Sequence, residues 1–272
     1  MFVNIACGTV YVDSPNWRNF DYAPVASSIK KANLLSRLTI DDASVDVVYS
    51  SHFFEHIPRN NVREFVKECY RILKSGGKIR LVLPDLEELC REYISQRDKD
   101  QHVKADFVVH EMLDQCVRKT PGGELKQYFD RIKEENDTDL LEYIKERTGD
   151  EFFDNVDGMG EFKKINIFKK LLNFKKIIGR MEQIYVRLLL MLLPAAFRQQ
   201  NISFTHVGER HTWIYDFYSL SNILQDCGFV SVEKKSYDKT SIEGFPLYPL
   251  DVSRENTPRK GRESMYIEAT KL

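Results

Sequence analysis

Short apolar runs alternate with polar turns along the first part of the chain. Apolar and β-branched residues predict strands at Phe2–Ala6 and Asp46–Ser50, and a strand at Asn19–Asp21 ends in an acid. We expect Val25–Ala32, between the strands Asn19–Asp21 and Asp46–Ser50, to form a short helix. This alternation of strands and helical segments is what a parallel α/β sheet requires.

The next segment, Asn60–Leu73, has the spacing of a helix. Its apolar residues recur at Val62, Phe65, Val66, Cys69, Tyr70 and Leu73. We expect Ser75-Gly76-Gly77 to stop this helix, because glycine suits the left-handed position at a helix C-terminus. Lys78–Leu83 is then predicted to be another strand.

Regular α/β patterning returns near the end of the chain. Ser219–Cys227 is predicted to be a helix closed by Gly228, and strands follow at Phe229–Lys235 and Met265–Thr270. The loop Thr257–Glu263 between the two strands is charged. The sequence therefore predicts an α/β fold whose sheet is completed by C-terminal residues.

Residues 86–200 differ in character, since they are rich in Lys and Glu and helical in most windows. Long insertions without sheet structure usually carry function. We therefore predict one helical insertion that acts as a lid or binds an acceptor. It separates residues 1–85 from residues 201–272, which together would build the sheet.

One stretch of the insertion, Phe162–Arg180, contains six lysines and one arginine but no acid. One interpretation is a solvated basic helix that packs on its own domain. The other is a peripheral contact with a membrane or another anionic surface. The first interpretation is the simpler one, and both stay open.

Composition narrows the class of protein. The chain has 272 residues, 42% of them hydrophobic and 30% charged, with a formal net charge of −1. A general nucleic-acid binder would carry a basic excess, so we expect no nucleic-acid partner. Five scattered cysteines without a C-x-x-C pair favour a reducing cytoplasm over a disulfide framework. We expect no signal peptide, because the first residues already have the pattern of a strand.

Small residues end the first predicted strand at Ala6-Cys7-Gly8. Open α/β sheets bind cofactors at the carboxyl edge of the strands, and small residues let the backbone approach a ligand. The glycine pattern G-x-G-x-x-G is absent, which disfavours a nicotinamide dinucleotide and hence an oxidoreductase. Asp21 ends the second strand and can accept both hydroxyls of a ribose, or it can cap the helix predicted after Pro24.

Titratable side chains follow the predicted strand Asp46–Ser50. Ser51, His52, Glu55 and His56 come just beyond its carboxyl end, where polar groups face a ligand. A histidine with an orienting carboxylate can act as a general base. Alternatively, these side chains only hydrogen-bond the loop, and we favour that interpretation for Glu55.

A second polar run, His206–Asp216, follows the insertion and holds two histidines, two acids, an arginine and a tyrosine. Its His211 is a further candidate for deprotonating an acceptor. The spacing fits no common zinc signature, so we expect hydrogen bonding here and no metal.

Several of these motifs together resemble one family. Asn4–Gly8, Asp21, Asp42–Pro58 and Leu73–Lys78 strongly resemble the class I S-adenosylmethionine (SAM)-dependent methyltransferases of the type 11 group. His206–Asp216 is similar to a segment of sugar-pathway relatives. The resemblance implies a Rossmann-like sheet, mostly parallel with an antiparallel last strand, and SAM as the cofactor.

The resemblance also implies roles for residues at the strand ends and in the segment before Asp42. The implied cofactor-binding residues are Ala6, Cys7, Gly8, Asp21, Asn33, Leu34, Ser51 and His52. The first three would lie against the methionine moiety, Asp21 would bind the ribose, and Asn33 and Leu34 would flank the adenine. Ser51 and His52 would sit beside the sulfonium.

The sequence thus predicts a methyltransferase acting on a small molecule or a glycan, and the resemblance implies surface-polysaccharide biosynthesis. The candidate catalytic residues are His56, His211 and His52. Residues 1–85 would be the SAM-binding half and residues 86–200 the lid. Two alternatives stay open: an N-methyltransferase for an amine or phosphorylated metabolite, and a non-catalytic SAM-binding partner protein.

Overall fold

The structure is a computed structural model that describes residues 1–149, 181, 184–186, 188–205 and 208–272. The basic stretch Phe162–Arg180 and His206 lie outside the described residues. Within the described part of the chain, no helix is both long and apolar enough to span a bilayer.

Seven strands form one sheet in the order β3-β2-β1-β4-β5-β7-β6. The strands are β1 Phe2–Ile5, β2 Trp17–Asp21, β3 Ile29–Lys31, β4 Val45–Ser51, β5 Leu73–Pro84, β6 Phe229–Lys235 and β7 Ser264–Lys271. β7 runs antiparallel to both of its neighbours, whereas the other paired strands are parallel. The predicted Rossmann-like sheet with an antiparallel last strand is confirmed.

Helices connect and flank these strands. They are α1 Arg59–Ile72, α2 Leu86–Asp98, α3 His102–Val109, α4 Gly123–Glu135, α5 Thr138–Thr148, α6 Ala195–Asn201, α7 Phe217–Asp226 and α8 Leu247–Leu250. α3 continues through a π-helical turn at His110–Asp114. α7 begins with a capping box, in which Asp216 and Ser219 each accept a backbone N–H of the other.

The sheet carries one hydrophobic cluster on each face. Successive residues of β4 point to opposite faces, so Val48 packs under α1 and α7 while Val47 and Tyr49 pack on the other side. On that second side, Phe245 and neighbouring residues of the segment between β6 and β7 cover the sheet. Burial on both faces explains why β4 is a nearly continuous apolar run.

The helices of the insertion have a hydrophobic cluster of their own, which includes Phe107, Phe129 and Ile144. α2 begins directly after β5, and Arg262, just before β7, donates to Glu92 at 2.7 Å. Because β5 ends and β7 begins at the same edge of the sheet, residues 86–148 pack at the carboxyl edge. This is the edge where a lid has to lie.

The predicted helix at Val25–Ala32 is wrong. Residues 29–31 form the edge strand β3, paired in parallel with the end of β2. Ser27 and Ser28 compete with helical hydrogen bonds and favour turns. Pairing with β2 and burial of Ile29 therefore override a weak local helix preference.

The predicted stop of α1 at Gly76-Gly77 is also wrong. α1 ends at Ile72, and Leu73 is already extended as the first residue of β5. The glycines lie within that strand, where a Cβ on Gly77 would sit 2.9 Å from the carbonyl oxygen of Lys74. Close backbone approach, and not helix capping, is the reason for glycine at this position.

Candidate active site at the carboxyl edge

β1 and β4 lie side by side, and a cavity of about 160 Å³ opens beyond their carboxyl ends. Its walls include Ala6, Cys7 and Gly8 after β1, and Ser51 and His52 at the end of β4. The structure thus brings together these residues of the predicted cofactor site. Burial raises the pKa of the Cys7 thiol to about 12, so Cys7 lines the cavity as a neutral group.

Both strand ends turn through left-handed backbone conformations at the cavity wall. Ala6 has φ +59° and His52 has φ +48°, a region that is unfavourable for residues with a Cβ. Such conformations persist where the surrounding structure holds them, and they cluster at functional sites. Glycine would adopt the conformation of Ala6 without strain.

Asp21 lies next to this turn but does not line the cavity. Its carboxylate accepts the backbone N–H of Gly8 at 2.9 Å and that of Ala23 at 2.8 Å. The alternative role as a helix cap is excluded, because β3 replaces the expected helix. A carboxylate can accept further hydrogen bonds beyond these two, so ribose binding by Asp21 stays a prediction.

Asn33 and Leu34 are not brought to the cavity. Leu34 is buried in the hydrophobic core, and Asn33 is exposed, with its side-chain oxygen accepting the N–H of Leu35 at 3.2 Å. The implied adenine contacts at both residues stay predictions.

Two basic residues at the cavity, Arg259 and Lys260, were missed by the sequence reasoning. The sequence did indicate a charged loop at Thr257–Glu263, and both residues belong to it. Since β7 is antiparallel, the loop before it lies at the carboxyl edge with the predicted cofactor-binding residues. Their positive charge suits a carboxylate ligand such as the one in a methionine moiety.

The chain segment that follows the insertion is hydrogen-bonded onto the segment that follows β4. The backbone N–H of Thr212 donates to the carbonyl oxygen of Glu55 at 2.7 Å, and that of His211 donates to Gln115 at 3.0 Å. These bonds bring His211 against His56, with ring centroids 4.8 Å apart and planes at 75°. The two candidate catalytic histidines therefore share one location.

Glu55 lies at the centre of this group. It is 1% exposed, and its Oε1 atom is 3.4 Å from Nδ1 of His52 and 4.0 Å from Nε2 of His56. Burial raises the pKa of Glu55 and lowers the pKa of His52 and His211. The expected loop hydrogen bond of Glu55 is wrong, because neither carboxylate oxygen has a hydrogen-bond partner among the described residues.

The remaining nitrogens of the histidines are held by oxygen atoms. Nδ1 of His56 donates to the carbonyl oxygen of Arg210 at 3.0 Å. Nε2 of His52 is 2.9 Å from the hydroxyl of Ser264, which itself donates to the carbonyl oxygen of Lys260 at 3.0 Å. Because the single proton of Ser264 is used there, His52 is the donor in its bond to Ser264.

Comparison with known proteins gives one family match. A methyltransferase domain family matches residues 14–81. No curated protein matches the chain significantly.

Solved structures of methyltransferases are similar over most of the chain. A SAM-dependent methyltransferase from Thermotoga maritima is 13% identical, with 100% of this chain and 81% of that chain covered and a TM-score of 0.39. One from Archaeoglobus fulgidus is 13% identical, with 99% and 85% covered and a TM-score of 0.39. A complex of the Trm112 methyltransferase activator with a candidate methyltransferase, from Haloferax volcanii, gives 11% identity, 99% and 81% coverage and a TM-score of 0.40.

Because TM-scores of 0.39 and 0.40 are too low to assign a fold, the assignment depends on the strand order itself. That order, with its antiparallel β7, agrees with the methyltransferase domain match over residues 14–81. Together they indicate a methyltransferase domain in the first part of the chain.

Proposed function

We propose that this protein transfers a methyl group from SAM to a small-molecule or glycan acceptor that enters beside His52, His56 and His211. The observation that carries this proposal is the location of the three histidines. His52 lines the cavity at the ends of β1 and β4. Glu55 lies 3.4 Å from His52 and 4.0 Å from His56, and His211 packs against His56. Proton-accepting groups thus lie beside the expected position of the methyl group.

The residues at the cavity are suited to SAM. Small side chains line it at Ala6 and Gly8, and a Cβ placed on Gly8 would meet no atom within 4 Å. A cavity of about 160 Å³ is smaller than the ~300–1,000 Å³ of sites for drug-sized ligands. It would therefore enclose one part of SAM, with Asp21 outside it to bind the ribose. The bound cofactor supplies an electrophilic methyl group on a sulfonium.

The protein has to align the acceptor, exclude water and remove a proton where the acceptor is a hydroxyl. A neutral imidazole is suited to accepting that proton, and general-base catalysis contributes about 10²–10⁴-fold. Helices α2 to α5 pack at the same edge of the sheet and would act as the lid.

A sugar-type acceptor is supported by side chains close in sequence to His56 and His211. Trp213 follows His211 by two residues, is 45% exposed, and has the guanidinium of Arg59 4.1 Å from its ring centroid. An exposed aromatic ring next to charged and imidazole groups offers both an apolar face and hydrogen bonds to a polyhydroxylated molecule. We propose surface-polysaccharide biosynthesis as the setting.

The test is transfer of a radiolabelled methyl group from SAM to a panel of nucleotide sugars, oligosaccharides, amines and phosphorylated metabolites. Transfer to a sugar hydroxyl that falls by ~10²-fold or more in His211→Ala supports the proposal. The matched control is His102→Ala on α3, which should keep full activity because its side chain is 62% exposed and does not line the cavity. Labelling of amines alone would identify an N-methyltransferase. SAM binding without transfer to any acceptor would indicate a non-catalytic partner protein.

We also propose that the protein works in the cytoplasm and contacts an anionic membrane through its insertion. Its five cysteines are free, as a reducing compartment keeps them. Ile184, Leu188 and Leu192 are more than half exposed and follow the basic stretch Phe162–Arg180. Co-sedimentation with phosphatidylserine vesicles but not with phosphatidylcholine vesicles would support this contact. Absence of binding to both kinds of vesicle would exclude it.

A further inference from the structure

The side chains around Glu55 present acceptor atoms to one another without a donor between them. His56 uses its Nδ1 proton on Arg210, and His52 uses its Nε2 proton on Ser264. In each neutral ring the other nitrogen is then an acceptor, and both of these nitrogens face Oε1 of Glu55. Lone pairs that converge in a buried space repel one another unless a positive charge lies between them.

His211 adds a further unpaired acceptor or donor to the same space. It is 5% exposed, and its Nδ1 atom is buried without a hydrogen-bond partner among the described residues. One ligand-type atom from each of Glu55, His56 and His211 lies within 4.8 Å of the other two. A buried carboxylate left without hydrogen bonds is costly, so this group of side chains needs either a proton on Glu55 or a bound metal ion.

The way these side chains are held is typical of metal ligands. A histidine that binds a metal usually donates its other ring N–H to a carbonyl or carboxylate, as His56 does to Arg210. The backbones are fixed as well, since Thr212 donates to the Glu55 carbonyl and His211 donates to Gln115. The three ligand atoms lie within 4.8 Å of one another, so side-chain movements would have to bring each of them to the ~2.0–2.2 Å from the ion that zinc requires.

We propose that Glu55, His56 and His211 bind a divalent transition-metal ion of the zinc type beside the cofactor cavity. Two imidazoles and one carboxylate are the ligand set of zinc sites that keep a further position open, whereas Mg²⁺ and Ca²⁺ prefer oxygen ligands alone. The sequence spacing did not indicate this site, because His211 comes from a segment beyond the insertion. Metal binding does not require the proposed function, but with His56 and His211 as ligands His52 is the histidine of the three that is left to accept a proton. A role of the metal in orienting an acceptor oxygen rests on the proposed function.

The experiment uses the full-length protein stripped with a chelator and then titrated with Co²⁺ and Zn²⁺. Isothermal titration measures stoichiometry and affinity, and the visible absorption of Co²⁺ reports histidine ligation. We expect one equivalent to bind. Glu55→Gln, His56→Ala and His211→Ala should each weaken binding by more than tenfold, and His102→Ala should leave it unchanged.

Circular dichroism and titration with SAM, run on every variant, show whether the fold and the cofactor site persist. Failure of the wild-type protein to bind Co²⁺ or Zn²⁺ would overturn the proposal even if every variant were misfolded. Binding that survives in the Glu55→Gln/His211→Ala double variant would overturn it too. Metal binding without methyl transfer would instead leave the site in place and count against the proposed function.

Discussion

His56 and His211 reach the same point of the molecule from the two sides of the helical insertion, and their rings meet edge to face 4.8 Å apart. His56 is placed by β4, which ends at the carboxyl edge of the sheet. His211 is placed by the hydrogen bonds of its own segment to Glu55 and Gln115. Gln115 and Cys116 of the insertion thus contact the segment that carries His211.

Asp21 is expected to contribute to SAM binding. In Asp21→Asn, one oxygen still accepts a backbone N–H of the turn, but the charge that favours two ribose hydroxyls is lost. We expect SAM affinity to fall by about 1–3 kcal/mol, as measured by isothermal titration. Asp13→Asn, an exposed acid in the loop before β2, is the matched control and should bind normally. Unchanged affinity in Asp21→Asn would remove Asp21 from the site.

Ala6→Gly should not destabilise the protein. The φ of +59° at Ala6 costs an L-residue about 1–2 kcal/mol, which exceeds the ~0.4–1 kcal/mol that glycine loses through unfolded-state entropy. We expect the free energy of unfolding in urea to be unchanged or to rise by up to about 1 kcal/mol. Ala105→Gly, in the buried interior of α3, should lower it by about 1 kcal/mol or more. Equal losses in both variants would contradict the left-handed conformation at Ala6.

Arg80 is expected to hold the segment between β6 and β7 to the sheet. It is fully buried in β5 and donates to Asp251 at 2.7 Å and to Glu268 at 2.6 Å. Arg80→Met would leave two buried carboxylates without their cation, so the free energy of unfolding should fall by about 3–5 kcal/mol.

The matched control for Arg80 is Arg63→Met. Arg63 pairs with Asp226 at 2.8 Å, but both side chains are more than half exposed. Chemical denaturation should give a loss below about 1 kcal/mol for this variant. A loss that small in Arg80→Met would mean that its carboxylate partners are neutral or reach solvent.

Glu111 should make stability fall as pH rises. It is buried beside Arg147, and burial raises its pKa from 4.5 to about 7. Between these two values the folded protein keeps a proton that the unfolded chain releases. The stabilising contribution is therefore complete below pH 4.5 and is lost as pH rises through about 7.

The comparison that isolates this effect is Glu111→Gln against wild type in urea unfolding at about pH 4 and about pH 8, which lie on either side of the window from 4.5 to about 7. The variant should gain stability relative to wild type at the higher pH, by up to about 3 kcal/mol. Glu135→Gln, exposed at the end of α4, should follow wild type at both values. A variant with the pH dependence of wild type would show that Glu111 is ionised throughout.

Local patterns were sufficient to predict most of the sheet. β1, β2, β4, β6 and β7 lie within two residues of their predicted positions, because strands buried on one or both faces need apolar residues at fixed spacing. The same patterns failed at residues 25–32, where pairing with β2 outweighs local preference. They failed again at Gly77, where a close backbone contact was mistaken for a helix end.

The sequence by itself determined which strand ends line the cavity, because parallel strands deliver their carboxyl ends to one edge. Ala6, Gly8, Ser51 and His52 could be named for this reason. Only the tertiary structure decided that Glu55 is buried against three imidazoles, and that Arg259 and Lys260 reach the cavity. Those relationships depend on the path of the insertion and on the reversed direction of β7, which bring together residues that no local spacing connects.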